Sequence, residues 1–375
     1  MKQKMVLDYN IRKTVRIFFI LLMGTLFWVG AIINQKHLAD YHGSVSVRYR
    51  EAVLTEQEIE NVQENMILRK DDNIPEVTLW QSEENDLIKN ERIGTSLNLK
   101  QVSVVGNMTR VYPESILYGG YLFEEDYKGC VIDENTAYKL FRLENAVGLK
   151  LNNNGKEYTV RGVIKPTIGN TMIIQVDNSQ QKEGEIAKYS CMELNFPDSQ
   201  NAVTLAKNFV STCGFDEPTV YINGYLYQKV TERIIHIPVW FAGIWIIGLS
   251  IRRVYSLKAS PMLSLSGGLM VIALIIILIK LTDFYIYYPN SLIPNRWSDF
   301  DFWSKQWKEM MNSLKERAGL IQYYKELELR KRFIFVLTGA VVAVIAEGIF
   351  IKVFVKDGCT KRETIGYLFR SKDIK

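Results

Sequence analysis

The sequence predicts an α-helical membrane protein with four transmembrane helices and an α+β extracytoplasmic domain. Three observations predict it. Hydrophobic residues make up 47% of the 375, and they gather into four long blocks instead of spreading through the chain. The stretch between the first two blocks alternates strand-like and helix-like patterns. Basic residues collect beside the blocks on what would be one side of a membrane.

The blocks come first. Residues 17–33 (IFFILLMGTLFWVGAII) carry no charge, and residues 234–251 (IIHIPVWFAGIWIIGLSI) carry no acid, Lys or Arg. Residues 262–281 are apolar apart from two serines and Lys280, and the span is taken as 261–283. Residues 333–351 are interrupted only by Thr338 and Glu347. At a rise of about 1.5 Å per residue, each run is long enough to cross a hydrocarbon core of roughly 30 Å. The first run exceeds the usual signal-peptide core of roughly 7 to 15 residues and lacks a small-x-small cleavage site after it, so it reads as an uncleaved anchor.

Orientation follows from the basic residues. Lys2, Lys4, Arg12, Lys13 and Arg16 face only Asp8 in segment 1–16, and connector 252–260 holds Arg252, Arg253 and Lys258 without an acid. Tail 352–375 is also basic, while the whole chain is only +5. Both termini and the connector are therefore expected in the cytoplasm of a plasma (inner) membrane protein. Segments 34–233 and 284–332 are expected outside, although Arg330, Lys331 and Arg332 run against the rule.

Within segment 34–233, "LTEQEIENVQENM" opens with Thr55 and Glu58 at capping-box spacing, and Ile59, Val62 and Met66 recur at helical intervals. "PEVTLWQS" and "LKQVSVVGN" read as strands. "KGCVID" reads as a short buried strand, with Asp133 or Glu134 starting a helix that turns Ala137, Leu140 and Phe141 inward and ends at Gly148. "LKLNNNGKEYTVRGVI" reads as a hairpin around "NNNG". "NAVTLAKNFVSTCGF" is a helix with Val203, Ala206, Phe209 and Val210 on one face. Such mixed units make an α+β domain. Cys191 and Cys213 could pair or stay free, since spacing alone does not decide.

In segment 284–332, Trp303, Trp307, Met310, Leu314 and Ile321 recur at helical spacing. They predict an amphipathic helix, lying in the outer membrane interface or packed on the base of the outer domain.

Catalytic signatures are absent. There is no GxxxxGK[ST] loop, HExxH, CxxC or GxSxG, and His37, His42 and His236 are scattered. The chain reads as a non-enzyme with no cofactor and no metal, and nothing suggests nucleic acid as a partner. Glu347 is the informative polar residue within the spans. Beside Ala346 and Gly348 it is a candidate for intramembrane packing or switching, or else a protonated group near the inner interface.

The ordered series "LTEQEIENVQEN…PEVTLW", "VVGN" and "YGGYLFEEDYKGCVIDENTAYKLFRLENAVGLKLNNNGKEYTVRGVI", with the four-span layout, resembles the FtsX/MacB-type permeases of ABC transporters. The positions that carry the match include Gly120, Phe123, Asp126, Ala137, Leu140, Phe141, Val147, Gly148, Gly155, Val160, Gly162 and Val163. The resemblance implies a MacB-like periplasmic core domain and a permease subunit that transmits mechanical work. It implies a separate cytoplasmic ABC ATPase subunit, which would hydrolyse ATP, and a second permease copy or paralogue. The family's "RxEIGxLR"-like ATPase contact is missing from the connector, while "KRETIGYLFR" follows the fourth span. Arg362, Glu363, Ile365 and Gly366, with Arg252 and Arg253, are therefore the candidate ATPase-coupling residues. Either that contact moved to the tail, or the family's last two spans are missing and residues 234–281 are an insertion. The alternative function is a membrane-anchored receptor or envelope-binding protein without ATPase coupling.

Overall fold

The computed structural model describes residues 2–38, 44–113, 115–167, 169–178, 187–198, 201–256, 261–283, 301–319 and 323–370; for several helical residues, 2–14 and 354–370 among them, it describes the backbone alone. Along the chain run α1 (Lys2–His37), β1 (Ser44–Arg48), α2 (Glu56–Leu68), β2 (Glu76–Asn90), β3 (Thr95–Val105), α3 (Met108–Val111), β4 (Ile116–Gly119), β5 (Gly129–Asp133), α4 (Glu134–Phe141) and β6 (Lys150–Asn153). Then come β7 (Lys156–Ile164), β8 (Thr171–Gln175), β9 (Cys191–Asn195), α5 (Ala202–Thr212), β10 (Val220–Asn223), α6 (Gly224–Ile234), α7 (Ile237–Ser256), α8 (Pro261–Leu281), α9 (Phe302–Gly319) and α10 (Tyr324–Arg370). The chain divides into a helical unit (Met1–Ala39, Gln228–Asn295, Lys331–Lys375) and an α+β unit (Asp40–Tyr227, Arg296–Arg330).

The helical unit contains the four apolar blocks. Among the described residues, four segments are long and apolar enough to cross a membrane: Val15–His37, Gly224–Ser256, Met262–Leu281 and Tyr324–Val353. Glycines let the helices approach closely. A Cβ on Gly24 would meet Ala346, one on Gly339 would meet Ala31 and the Phe27 carbonyl, and one on Gly30 would meet Phe335, so α1 and α10 run antiparallel. Gly243 against Leu278 and Gly267 against Val254 set α7 antiparallel to α8 in the same way. Small residues at helix contacts are the usual means of association where lipid removes the hydrophobic drive. Ala31, Ile234, Ile235, Val336 and Ala340 form a small shared core.

In the α+β unit, the described strands form one mixed sheet in the order β10-β1-β9-β2-β3-β8-β5-β7-β4, with β6 joined to β2 and β7. Successive strand residues point to opposite faces, and the sequence follows that rule. On one face, α2 and α5 cover Val45, Val47, Leu79, Met192 and Leu194. Farther along the same face, α4 covers Ile88, Leu99, Cys130, Ile132 and Met172. The other face carries Trp80, Val102, Val104, Val131, Ile173 and Cys191, packed with α3, Tyr112 and Leu122.

Several sequence expectations meet their counterparts here. β5 is buried throughout, and Asp133 caps α4 by accepting the Thr136 N–H. Ala137, Leu140 and Phe141 are buried. The β6–β7 hairpin turns on Asn154 and Gly155, both at positive φ, as a type I′ turn requires. Three differ. Helix α4 stops at Arg142, which takes the left-handed cap itself, so Gly148 (φ 81°) turns the chain into β6 instead of ending the helix. Thr55 bonds the Glu58 carboxylate and makes no bond to a backbone N–H, so only part of the capping box forms. Phe123 is 82% exposed, and its neighbour Leu122 fills the core. The pairing that spacing left open is settled as well: Cys191 and Cys213 are free thiols, because they sit in cores on opposite sides of the sheet.

Helix α9 lies against β10 within the α+β unit. Its Trp303 and Trp307 are more than half exposed. The side chains of Met310 and Leu314, and all of Ile321, lie outside the described ones.

Candidate functional site

The most unusual chemistry of the α+β unit is a buried cluster of four charges. Strand β1 reads Ser-Val-Ser-Val-Arg. Its valines enter the α2–α5 core, so the pleat sends Ser44, Ser46 and Arg48 to the opposite face. Strand β9 lies antiparallel beside it, with Ser46 opposite Glu193 and Arg48 opposite Cys191. The face formed by these strands is polar, and yet every one of these residues is buried. What covers it is residues 323–326, the approach to α10 and its first turn.

Glu193 is the hub. Its Oε1 accepts from Arg48 Nη2 at 2.6 Å and from Trp80 Nε1 at 3.1 Å. Its Oε2 accepts from Ser46 Oγ and Lys325 Nζ, each at 2.5 Å. Lys325 Nζ also donates to Ser44 Oγ at 2.9 Å, and Arg48 Nε donates to Glu326 Oε1 at 2.7 Å. Two cations thus meet two carboxylates, and the cluster is neutral. Arg48, Glu193 and Lys325 are only 2–3% exposed. Burial alone would push the Glu193 carboxyl up, but Arg48 and Lys325 outweigh it and hold it below the usual range.

Aromatic rings wall the cluster off from water. Trp80 and Tyr323 meet edge to face at 4.6 Å, with the Arg48 guanidinium 4.9 Å from the Trp80 centroid. Tyr112 stacks on Tyr324 at 5.4 Å. An ion pair in such a place is weak evidence for extra stability, since desolvation offsets most of the attraction. Its cost falls on misplacement: a slip of the first turn of α10 would leave a buried charge without its partner. The arrangement offers attachment without reactivity. No activated nucleophile or exposed acid–base pair is present in it, and no group of three metal-ligating side chains occurs among the described residues.

The structure also places the residues singled out from sequence. Arg252 and Arg253 are exposed on the last turn and a half of α7. Arg362, Glu363, Ile365 and Gly366 continue the helical backbone of α10, and their side chains lie outside the described ones. Glu347 is half-buried on α10, one residue from the close Ala346–Gly24 contact, and its Oε2 is buried without a hydrogen-bond partner. Among the described side chains, Glu347 makes no hydrogen bond or ion pair with Arg252 or Arg253. The charge cluster was missed from sequence; the one signal was the Ser-Val-Ser-Val-Arg alternation, in which the polar half looks solvent-facing.

No protein-family model and no curated protein matches the chain. Among solved structures, the α+β unit is similar to the periplasmic region of MacB from Actinobacillus actinomycetemcomitans, at 15% identity and a TM-score of 0.40, covering 50% of this chain and 92% of that one. It is also similar to the extracellular domain of YknZ, a noncanonic ABC-type transporter from Gram-positive bacteria, at 15% identity and a TM-score of 0.36, covering 48% of this chain and 97% of that one.

Proposed function

We propose that the chain is a permease-type subunit of an ABC transporter or envelope-signalling complex. It would couple a separate cytoplasmic ATPase to movement of its extracytoplasmic α+β domain. One observation carries the reading. The helix that supplies Lys325 and Glu326 to the buried cluster is α10, which also contains the fourth membrane-length segment. A span whose first turn is ion-paired into the domain core is suited to passing displacement to that domain, whereas a flexible tether would not be.

The motif resemblance in residues 54–164 and the four apolar segments support the same assignment. In this reading the positive ends of the chain face the cytoplasm, and two copies, or this chain and a paralogue, pair in the bilayer. Arg252, Arg253 and the Arg362–Glu363–Ile365–Gly366 segment contact the ATPase, and Glu347 tunes the packing of α1 on α10.

Affinity purification of the full chain from its native membrane tests the coupling. An ATP-binding subunit should copurify, and deletion of residues 360–375 should release it while the α+β unit keeps its thermal unfolding transition. Wild-type recovery of that subunit by the truncation would remove the tail from the mechanism. Stable purification with no ATPase under any condition would favour the receptor reading.

A further inference from the structure

The helical unit contains a polar cleft of about 860 Å³ at the end where α1 finishes, α7 begins and α8 finishes. Six titratable side chains line it: Lys229, Glu232, Arg233, His236, Lys280 and Asp283. Their pairing is uneven. Lys229 Nζ is bound to Glu232 Oε2 at 2.9 Å, which cancels one cation against one carboxylate. Arg233 spends Nη1 on the Asp283 backbone carbonyl at 2.7 Å, a neutral acceptor. Lys280 is exposed and, like the His236 ring, makes no hydrogen bond among the described residues. Among the described lining residues, Arg233 and Lys280 therefore stand as two cations against one remaining carboxylate, that of Asp283.

The floor is rigid: Thr282 is 1% exposed and bonds the Leu278 carbonyl, and Trp28 Nε1 holds the Ile235 carbonyl at 2.8 Å. Directly below the cleft, α7 and α8 present exposed Ile237, Phe241, Ile244, Ile276 and Ile279. A cationic cleft set above a continuous apolar surface matches an amphiphile with an anionic head.

We infer that this cleft binds the phosphate of a phospholipid headgroup, with Arg233 and Lys280 as its charge partners and the acyl chains lying along α7 and α8. The inference rests on reading α1, α7 and α8 as membrane spans, and it does not depend on ATPase coupling. Free phosphate shares the head chemistry and lacks the chains, which makes the two sources separable.

The test uses the full chain purified in detergent and stripped of lipid. Binding is measured by native mass spectrometry for a short-chain phosphatidylglycerol, the matching diacylglycerol and inorganic phosphate. The phospholipid should bind, with the diacylglycerol and inorganic phosphate each at least about tenfold weaker. Lys280→Gln should weaken the phospholipid about tenfold, the scale of one charge-assisted hydrogen bond, and leave the diacylglycerol unchanged. Lys280→Arg should retain binding, and because Lys280 is exposed, both variants should unfold at the wild-type temperature without lipid. Equal binding of diacylglycerol, phospholipid affinity unaffected by Lys280→Gln, or inorganic phosphate bound as tightly as the lipid would each overturn the inference. A chain that stays monomeric in water without detergent would instead remove the span reading beneath it.

Discussion

Lys325 Nζ lies 2.5 Å from Glu193 Oε2, with both side chains nearly inaccessible to water. The pair joins the first turn of α10 to the centre of β9, 132 residues earlier in the chain. Removing one partner is far costlier than the net worth of the pair, because the survivor stays buried and charged. Glu193→Gln should therefore destabilise the α+β unit by about 3–5 kcal/mol, read from denaturant or thermal unfolding of the full chain. Combined with Lys325→Met, the loss should be less than additive, with a coupling of about 0.5–3 kcal/mol. Strict additivity would mean that the two residues do not interact.

The same carboxyl sets a pH dependence. Its folded pKa lies below the unfolded value of about 4.3, because Arg48 and Lys325 overcome the effect of burial. The stability it contributes is fully present above the unfolded pKa and lost as pH falls through the folded one. The stability gap between wild type and Glu193→Gln should thus be constant from pH 7 to about 5 and shrink below about pH 4. A gap that holds to pH 2 would place the stabilisation elsewhere.

Two neighbouring glycines should behave oppositely. A Cβ on Gly162 in β7 would run into the Gly120 carbonyl oxygen, whereas one on Gly120 meets nothing within 4 Å. Gly162→Ala should cost about 1–3 kcal/mol through forced backbone shifts, and Gly120→Ala should stay within about 0.5 kcal/mol. Thermal unfolding of both variants separates a packing requirement from simple chain flexibility, which would penalise neither.

How much of this was legible in the sequence varies by element. The four apolar blocks needed only length and composition, and the β6–β7 hairpin was written locally in Asn154 and Gly155. The β2–β3 ribbon was underread, because Glu83–Asn90 is charged and interrupted by a bulge between Glu83 and Asp86. The charge cluster left only a misleading trace. Ser44, Ser46 and Arg48 look like the wet side of an edge strand, and "YYKELELRKR" looks like a solvated helix. They are buried because Lys325 and Glu326, 281 and 278 residues later in the chain than their partners Ser44 and Arg48, fold back over them, and no local pattern encodes such a pairing.

Glu347 invites a direct substitution. A carboxylate oxygen buried without a partner costs stability, by at least a few kcal/mol in a hydrocarbon setting when ionised. Glu347→Gln or Glu347→Leu should raise the unfolding midpoint in detergent. A lowered midpoint would show that the carboxyl is engaged in the native bundle.

The three free cysteines of the α+β unit happen to occupy its three separate cores: Cys213 beneath α2 and α5, Cys130 beneath α4, and Cys191 beside Trp80. Burial pushes all three thiols up, Cys213 to about 12, so none reacts until its surroundings open. Timed alkylation with peptide mapping would accordingly work as a three-channel chronometer, recording which layer of the domain breathes first.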